Sequence, residues 1–206
     1  MQKTFLRPTL ALTAVAALAS GCMTTDMDDG MDDMDNTQTT ASADMNTPVM
    51  VGGAEMLPTR NIIENASNSR VHATLVAAVK AADLVETLSG PGPFTVFAPT
   101  DMAFAKLPEG TIGTLLQPAN RGQLQNVLTY HVVSGNVSAA DLMSQIRSGG
   151  GMAQLTTVSG DTLTARMMNG NVVLVDANGG TATVTQADVK QSNGVIHVTD
   201  AVSLPM

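Results

Sequence analysis

The chain has 206 residues, no tryptophan, 2% aromatic residues, a single cysteine and a formal net charge of -8. A lone cysteine excludes an internal disulfide, and lysines and arginines that occur singly exclude the clustered basic footprint of a nucleic-acid binder. The acidity is unevenly placed: residues 23–57 hold eight acids and no base, whereas residues 58–206 hold ten acids and eight bases and are close to neutral.

Lys3 and Arg7 precede an uncharged apolar run over residues 10–19, followed by Ser20-Gly21-Cys22. A run of that length is too short for a spanning helix, which needs about 20 apolar residues, so residues 1–21 are expected to be a secretory signal peptide. Leu18-Ala19-Ser20-Gly21-Cys22 resembles a bacterial lipobox, with leucine one position earlier than usual. That resemblance implies lipidation at Cys22 and an exported chain tethered to the cell envelope. Met23, where an aspartate would signal retention, fits sorting to the outer membrane.

Residues 22–57 then read as an acidic tether. Met23, Met27, Met31 and Met34 alternate with aspartates, and no periodic large apolar residues interrupt them. A one-signed charge without a core predicts an extended spacer. Soft thioethers at this spacing also suit Cu(I), which gives a second reading, a periplasmic metal-handling or stress lipoprotein acting through the tether. Calcium does not fit: with Gly30 as the sixth position of an EF-hand loop, Thr25 and Met27 would occupy the first and third.

From residue 58 the chain reads as a folded domain ending at 206. A short helix is expected over 61–66, and Val71, Leu75, Val76 and Val79 continue with helical spacing to 82, a stretch that places His72 on an exposed helix face. Asp83 and Glu86 have capping-box spacing, and Gly90-Pro91-Gly92-Pro93 stops that helix. A strand is expected over 94–98, Thr100 and Asp101 cap a helix carrying Phe104 and Leu107, and further helices cover 111–116 and 123–129. An apolar strand over 130–133 follows, then a helix over 139–147 capped by Ser138 and Asp141 and dissolved by the glycines at 149–151. Strands at 154–158, 162–167, 172–176, 182–185 and 195–199, with Asn169-Gly170 as a hairpin turn, make the class α+β.

No chemistry of catalysis is spelled out. The Gly-x-Ser-x-Gly elbow and the Gly-Lys-Ser/Thr phosphate loop are missing, and the only cysteine lies outside the domain. His72, His131 and His197 have no second ligand at short spacing, so no metal site and no cofactor is assigned. His131 and His197, each among apolar neighbours, read as buried histidines tied to backbone; Asp161, Asp176 and Asp200 read as strand-end or turn residues.

Three stretches, GPFTVFAPTDMAF at 92–104, YHVVSG at 130–135 and NGVIHVTDAVSLP at 193–205, together resemble the fasciclin-like (FAS1) family, in order and in spacing. The resemblance implies a β-wedge of about seven strands with a layer of short helices, and a non-enzymatic role in adhesion or extracellular contact with a protein or polysaccharide partner. Carried over residue by residue, it makes Tyr130, His131, Val132 and Val133, together with Asp188 and Val189, the candidate partner-binding residues. Val189 stands where the family pair has isoleucine, and Lys190 where an apolar residue is usual.

Overall fold

The computed structural model describes residues 48–108 and 110–205. Cys22 and the methionine-rich acidic segment lie outside the described residues. The packed region begins before the expected start at residue 58. Strands β1 (Val49–Val51) and β2 (Ala54–Met56) form an antiparallel hairpin, with Val51 and Met56 3% and 2% exposed. Two three-residue strands are too short to show a period, so in the sequence they are indistinguishable from the tether.

Helices follow: α1 (Ile62–Asn68), α2 (Ala73–Ala81), α3 (Val85–Ser89), α4 (Asp101–Ala105), α5 (Thr111–Leu115), α6 (Arg121–Tyr130) and α7 (Ala139–Ser148). Both ends of the capping box are made at α1 by Asn61 and Glu64 and at α7 by Ser138 and Asp141. The box expected from Asp83 and Glu86 does not form. Asp83 instead turns the chain at φ +62 and α3 starts two residues later, after Leu84, without a side-chain cap.

The remaining strands are β3 (Phe94–Pro99), β4 (Val132–Ser134), β5 (Met152–Thr156), β6 (Thr162–Met168), β7 (Asn171–Val175), β8 (Thr181–Gln191) and β9 (Gly194–Thr199). They form one seven-stranded sheet in the order β4-β3-β9-β8-β7-β6-β5, meeting the expected class and strand number. Only the central β3–β9 pair is parallel. The sheet curls until its two edges touch: Val133 bridges Thr157, and Val158 N–H donates to Val132 O at 2.7 Å. At the β6–β7 turn Asn169 and Gly170 both have positive φ, +52 and +83, the conformation an Asn-Gly hairpin requires.

Strands β3 and β9 are buried on both faces, and this divides the interior in two. Val96, Ala98, Ile196 and Val198 face the helical layer, packing with Leu75, Val79, Leu124 and Leu128. Phe97, on the other face, joins Tyr130, Leu142, Ile146, Leu163 and Leu174 inside the curl of the sheet beneath α7. Burying each such side chain contributes about 1.5–3 kcal/mol, so a core almost without aromatics still suffices. The central parallel pair is held tight by glycine: a Cβ on Gly194 would lie 1.9 Å from Phe94 O. Among the described residues, no helix is long and apolar enough to cross a membrane.

Candidate functional site

The Tyr-His motif sits at a junction of elements. Tyr130 ends α6, His131 caps it, and the strand starts only at Val132, two residues later than expected. Tyr130 is fully buried; its hydroxyl donates to Thr162 O at 3.1 Å and accepts from Ala177 N–H at 3.2 Å. Burial, with Asp176 and Asp161 adding negative charge nearby, raises its pKa against the lowering effect of the Ala177 hydrogen bond. His131 is 3% exposed and ties both ring nitrogens to backbone: Nδ1 to Val127 O at 2.7 Å, Nε2 to Ser203 N–H at 3.0 Å. The expected buried histidine is therefore what the structure contains.

Val132 and Val133 are buried and pair with Val96 and Thr95, and Val189 is 1% exposed and pairs with Ile196. Five of the six candidate contact residues thus turn their side chains inward. They shape a surface and do not form one. Asp188 is the exception, half-buried and set at a different place from the Tyr-His motif.

Asp188 lines an open groove of about 530 Å³. One wall is the segment entering α7, with Asn136, Ser138 and Asp141; the other is the β8–β9 hairpin, with Asp188, Lys190, Gln191, Gly194 and Val195. Asp188 lies where the β8 register shifts between Gln186 and Val189, and its φ is +57. A non-glycine residue in this conformation costs of order 1 kcal/mol and persists only where its surroundings enforce it. Two bonds do so: Ala139 N–H donates to Asp188 Oδ1 at 2.8 Å, and Asp188 N–H donates to His197 Nδ1 at 3.2 Å.

His197 is 0% exposed, stacked on Phe97 with ring centroids 5.5 Å apart, and its Nε2 lies 2.9 Å from Val137 O. Desolvation lowers its pKa, against opposing contributions from the Val137 hydrogen bond and Asp188. Thr95, also fully buried, secures the same segment: its hydroxyl donates to Gly135 O and accepts from Val137 N–H, both at 2.8 Å. These long-range ties were not legible in the sequence.

The other histidine departs from expectation. His72 is 2% exposed, not on an open helix face, because the helix begins at Ala73 and leaves His72 at its cap. Its Nδ1 pairs with Ser69 Oγ at 2.8 Å, and Nε2 faces the Ala98 carbonyl without a well-formed hydrogen bond. The acidic residues Asp176 and Asp200 serve turns as expected: Asp176 accepts from Asn178, Gly180 and Leu204 amides, and Asp200 from Thr183 N–H. Asn193, absent from the candidate residues, clamps α1 and α3 through Ile62 N–H, Leu88 O and Gly90 O. Its signal was the Asn-Gly pair itself.

No group of three or more His, Cys, Asp or Glu residues is placed to hold a metal ion among the described residues. The spaces inside the helical layer are apolar but only about 20 and 30 Å³, room for a water molecule and not for a ligand. By size and polarity the groove beside Asp188 is the candidate site: Asn136 is exposed on it, while the side chains of Ser138, Asp141, Asp188 and Gln191 that line it are held by hydrogen bonds of the fold.

Residues 70–205 match the model of the fasciclin domain. Protein sll1483 of Synechocystis sp. is 43% identical over 196 residues, covering 95% of each chain. Immunogenic protein MPB70 of Mycobacterium bovis is 32% identical over 170 residues, 80% of this chain and 78% of that one. Pig transforming growth factor-beta-induced protein ig-h3 is 37% identical over 136 residues, which are 64% of this chain and 17% of that protein. Among solved structures, the FAS1 domain pair of the insect cell adhesion molecule Fasciclin I superposes with a TM-score of 0.63 at 21% identity, over 71% of this chain and 51% of that chain. Likeness at that identity concerns the fold, while the matched domain model and the relatives aligned over most of their length concern descent: the chain belongs to the fasciclin (FAS1) domain family.

Proposed function

We propose that this protein is a binding module displayed at the cell envelope, and that it makes adhesive or extracellular contact with a protein or polysaccharide through the groove beside Asp188. The observation that carries the reading is Asp188 itself: a strained, half-buried carboxylate at a bulge, held on the rim of an open polar groove in a family that includes a cell adhesion molecule. Backbone held in this conformation clusters at binding and other functional sites. Lipidation at Cys22 and the acidic segment that follows supply the anchor and spacer, holding the module clear of the membrane. The module works by binding and not by turnover.

Deleting the gene and restoring it with wild type or with a groove variant tests the reading. Loss of cell-to-surface or cell-to-cell adhesion on deletion, restored only by wild type, is expected. Unchanged adhesion in the deletion strain would sink it. Cys22→Ser tests the anchor separately: the protein should leave the membrane fraction and appear in the soluble one.

A further inference from the structure

His197 lies beneath the groove and joins both of its walls. Its Nε2 meets Val137 O at 2.9 Å on the wall that leads into α7, and its Nδ1 meets Asp188 N–H at 3.2 Å on the β8 wall. A carbonyl only accepts and an amide N–H only donates, so these partners select the neutral ring with its proton on Nε2, and the Nδ1 partner, being a donor, cannot accept a second proton's hydrogen bond. The direct bond from wall to wall, Ala139 N–H to Asp188 Oδ1 at 2.8 Å, depends on Asp188 staying in its left-handed conformation.

We propose that His197 is the positioning residue of the groove, and that a proton taken up at its Nδ1 releases Asp188 from α7, so that the groove is set for its ligand at neutral pH and loosened in acid. The inference rests on reading the groove as the contact surface. The incoming proton occupies the Nδ1 lone pair, and N–H then opposes N–H where Asp188 N–H had donated. That hydrogen bond is lost. The new Nδ1–H draws the Asp188 carboxylate as its acceptor, since the charge of that group already acts on the ring. Turning toward it, the carboxylate gives up Ala139 N–H, and the bulge relaxes from positive φ.

The surroundings decide how hard this proton is to add. From β8 come Asp188 and, along the groove, Lys190; from α7 comes Asp141; β3 contributes Phe97 and Thr95, which carry no charge. Asp188 favours the imidazolium, and burial opposes it more strongly. The transition therefore lies below the ordinary histidine range.

The test needs no ligand, so its outcome is separate from that of the adhesion assay. In the full chain, protection of the Ala139 amide against hydrogen exchange is followed from about pH 7.5 to about pH 4.5, with β9 amides reporting global unfolding. Protection at Ala139 should fall about tenfold per pH unit once His197 titrates, while β9 stays protected. His197→Gln keeps a donor and an acceptor without titrating, and should hold protection flat. Asp188→Asn can still accept from Ala139 but offers no charge to the ring, so its transition should move to lower pH. Equal acid loss in wild type and His197→Gln, or no loss in wild type before global unfolding, overturns the proposal. Should His197→Gln fail to fold, an unshifted transition in Asp188→Asn overturns it instead.

Discussion

His131 and Ser203, 72 positions apart, meet inside the core: Ser203 N–H donates to His131 Nε2 at 3.0 Å, pinning the C-terminal segment to the end of α6. The same ring caps α6 through Val127 O. His131→Ala takes the side-chain partner from a buried amide and a partly buried carbonyl, and should cost about 1–3 kcal/mol measured by urea denaturation. Any loss of adhesion in this variant should track the loss of folded protein. Adhesion lost at unchanged stability would make His131 a contact residue after all.

That relationship shows which parts of the molecule its sequence discloses. The helix caps at Ser138 and Asn61–Glu64 and the Asn169-Gly170 turn are local, and local chemistry is written in adjacent letters. The buried state of His131 and His197 followed from their apolar neighbours. Their partners did not, because Ser203, Val137 and Asp188 come from remote segments and bind through backbone groups, which carry no residue-type signal. The family motif, for its part, pointed to residues that matter and left open whether they touch a partner or build the surface. For Tyr130, Val132, Val133 and Val189, burial decides that they build it.

Acid should weaken the fold through its histidines. Burial is the largest cause of a lowered pKa at His72, His131 and His197 alike. Unfolded, each takes up a proton near about pH 6.5; folded, each does so only at lower pH. Between those points the unfolded chain binds more protons, so stability is full above about pH 6.5 and declines as pH falls through the window, by up to about 1.4 kcal/mol per unit of separation for each histidine. Urea midpoints at about pH 7.5 and about pH 5 check the sign. A midpoint that rises on acidification would contradict it.

The hairpin before residue 58 predicts where the chain can be shortened without loss. Met56 and Val51 belong to the helical core, and Asn65, fully buried, spends two hydrogen bonds on Leu57, at 2.7 and 3.1 Å. Starting the chain at residue 58 removes those side chains and takes two partners from the Asn65 amide, so the shortened domain should melt well below one that begins at residue 48. Met56→Ala alone should cost about 2–5 kcal/mol. An equal melting temperature for the two truncated chains would mean that the folded unit begins at residue 58.

Asn136 offers the cleanest separation of surface from scaffold. It is exposed on the α7-side wall of the groove, opposite Asp188 and Lys190, and its neighbour Val137 is already held by Thr95 and His197 through backbone groups. A longer, charged side chain there would fill the groove without touching those bonds. Asn136→Arg should leave stability within about 0.5 kcal/mol of wild type, as exposed substitutions away from caps and cores do. Restored to the deletion strain, it should nevertheless fail to recover adhesion, because the groove is occupied by the protein's own side chain. Thr95→Ala should behave differently: it removes the hydroxyl that fixes Gly135 and Val137, so stability and adhesion should fall together. Full adhesion with Asn136→Arg at wild-type expression would move the contact surface elsewhere on the domain and leave Asp188 as strain without a use.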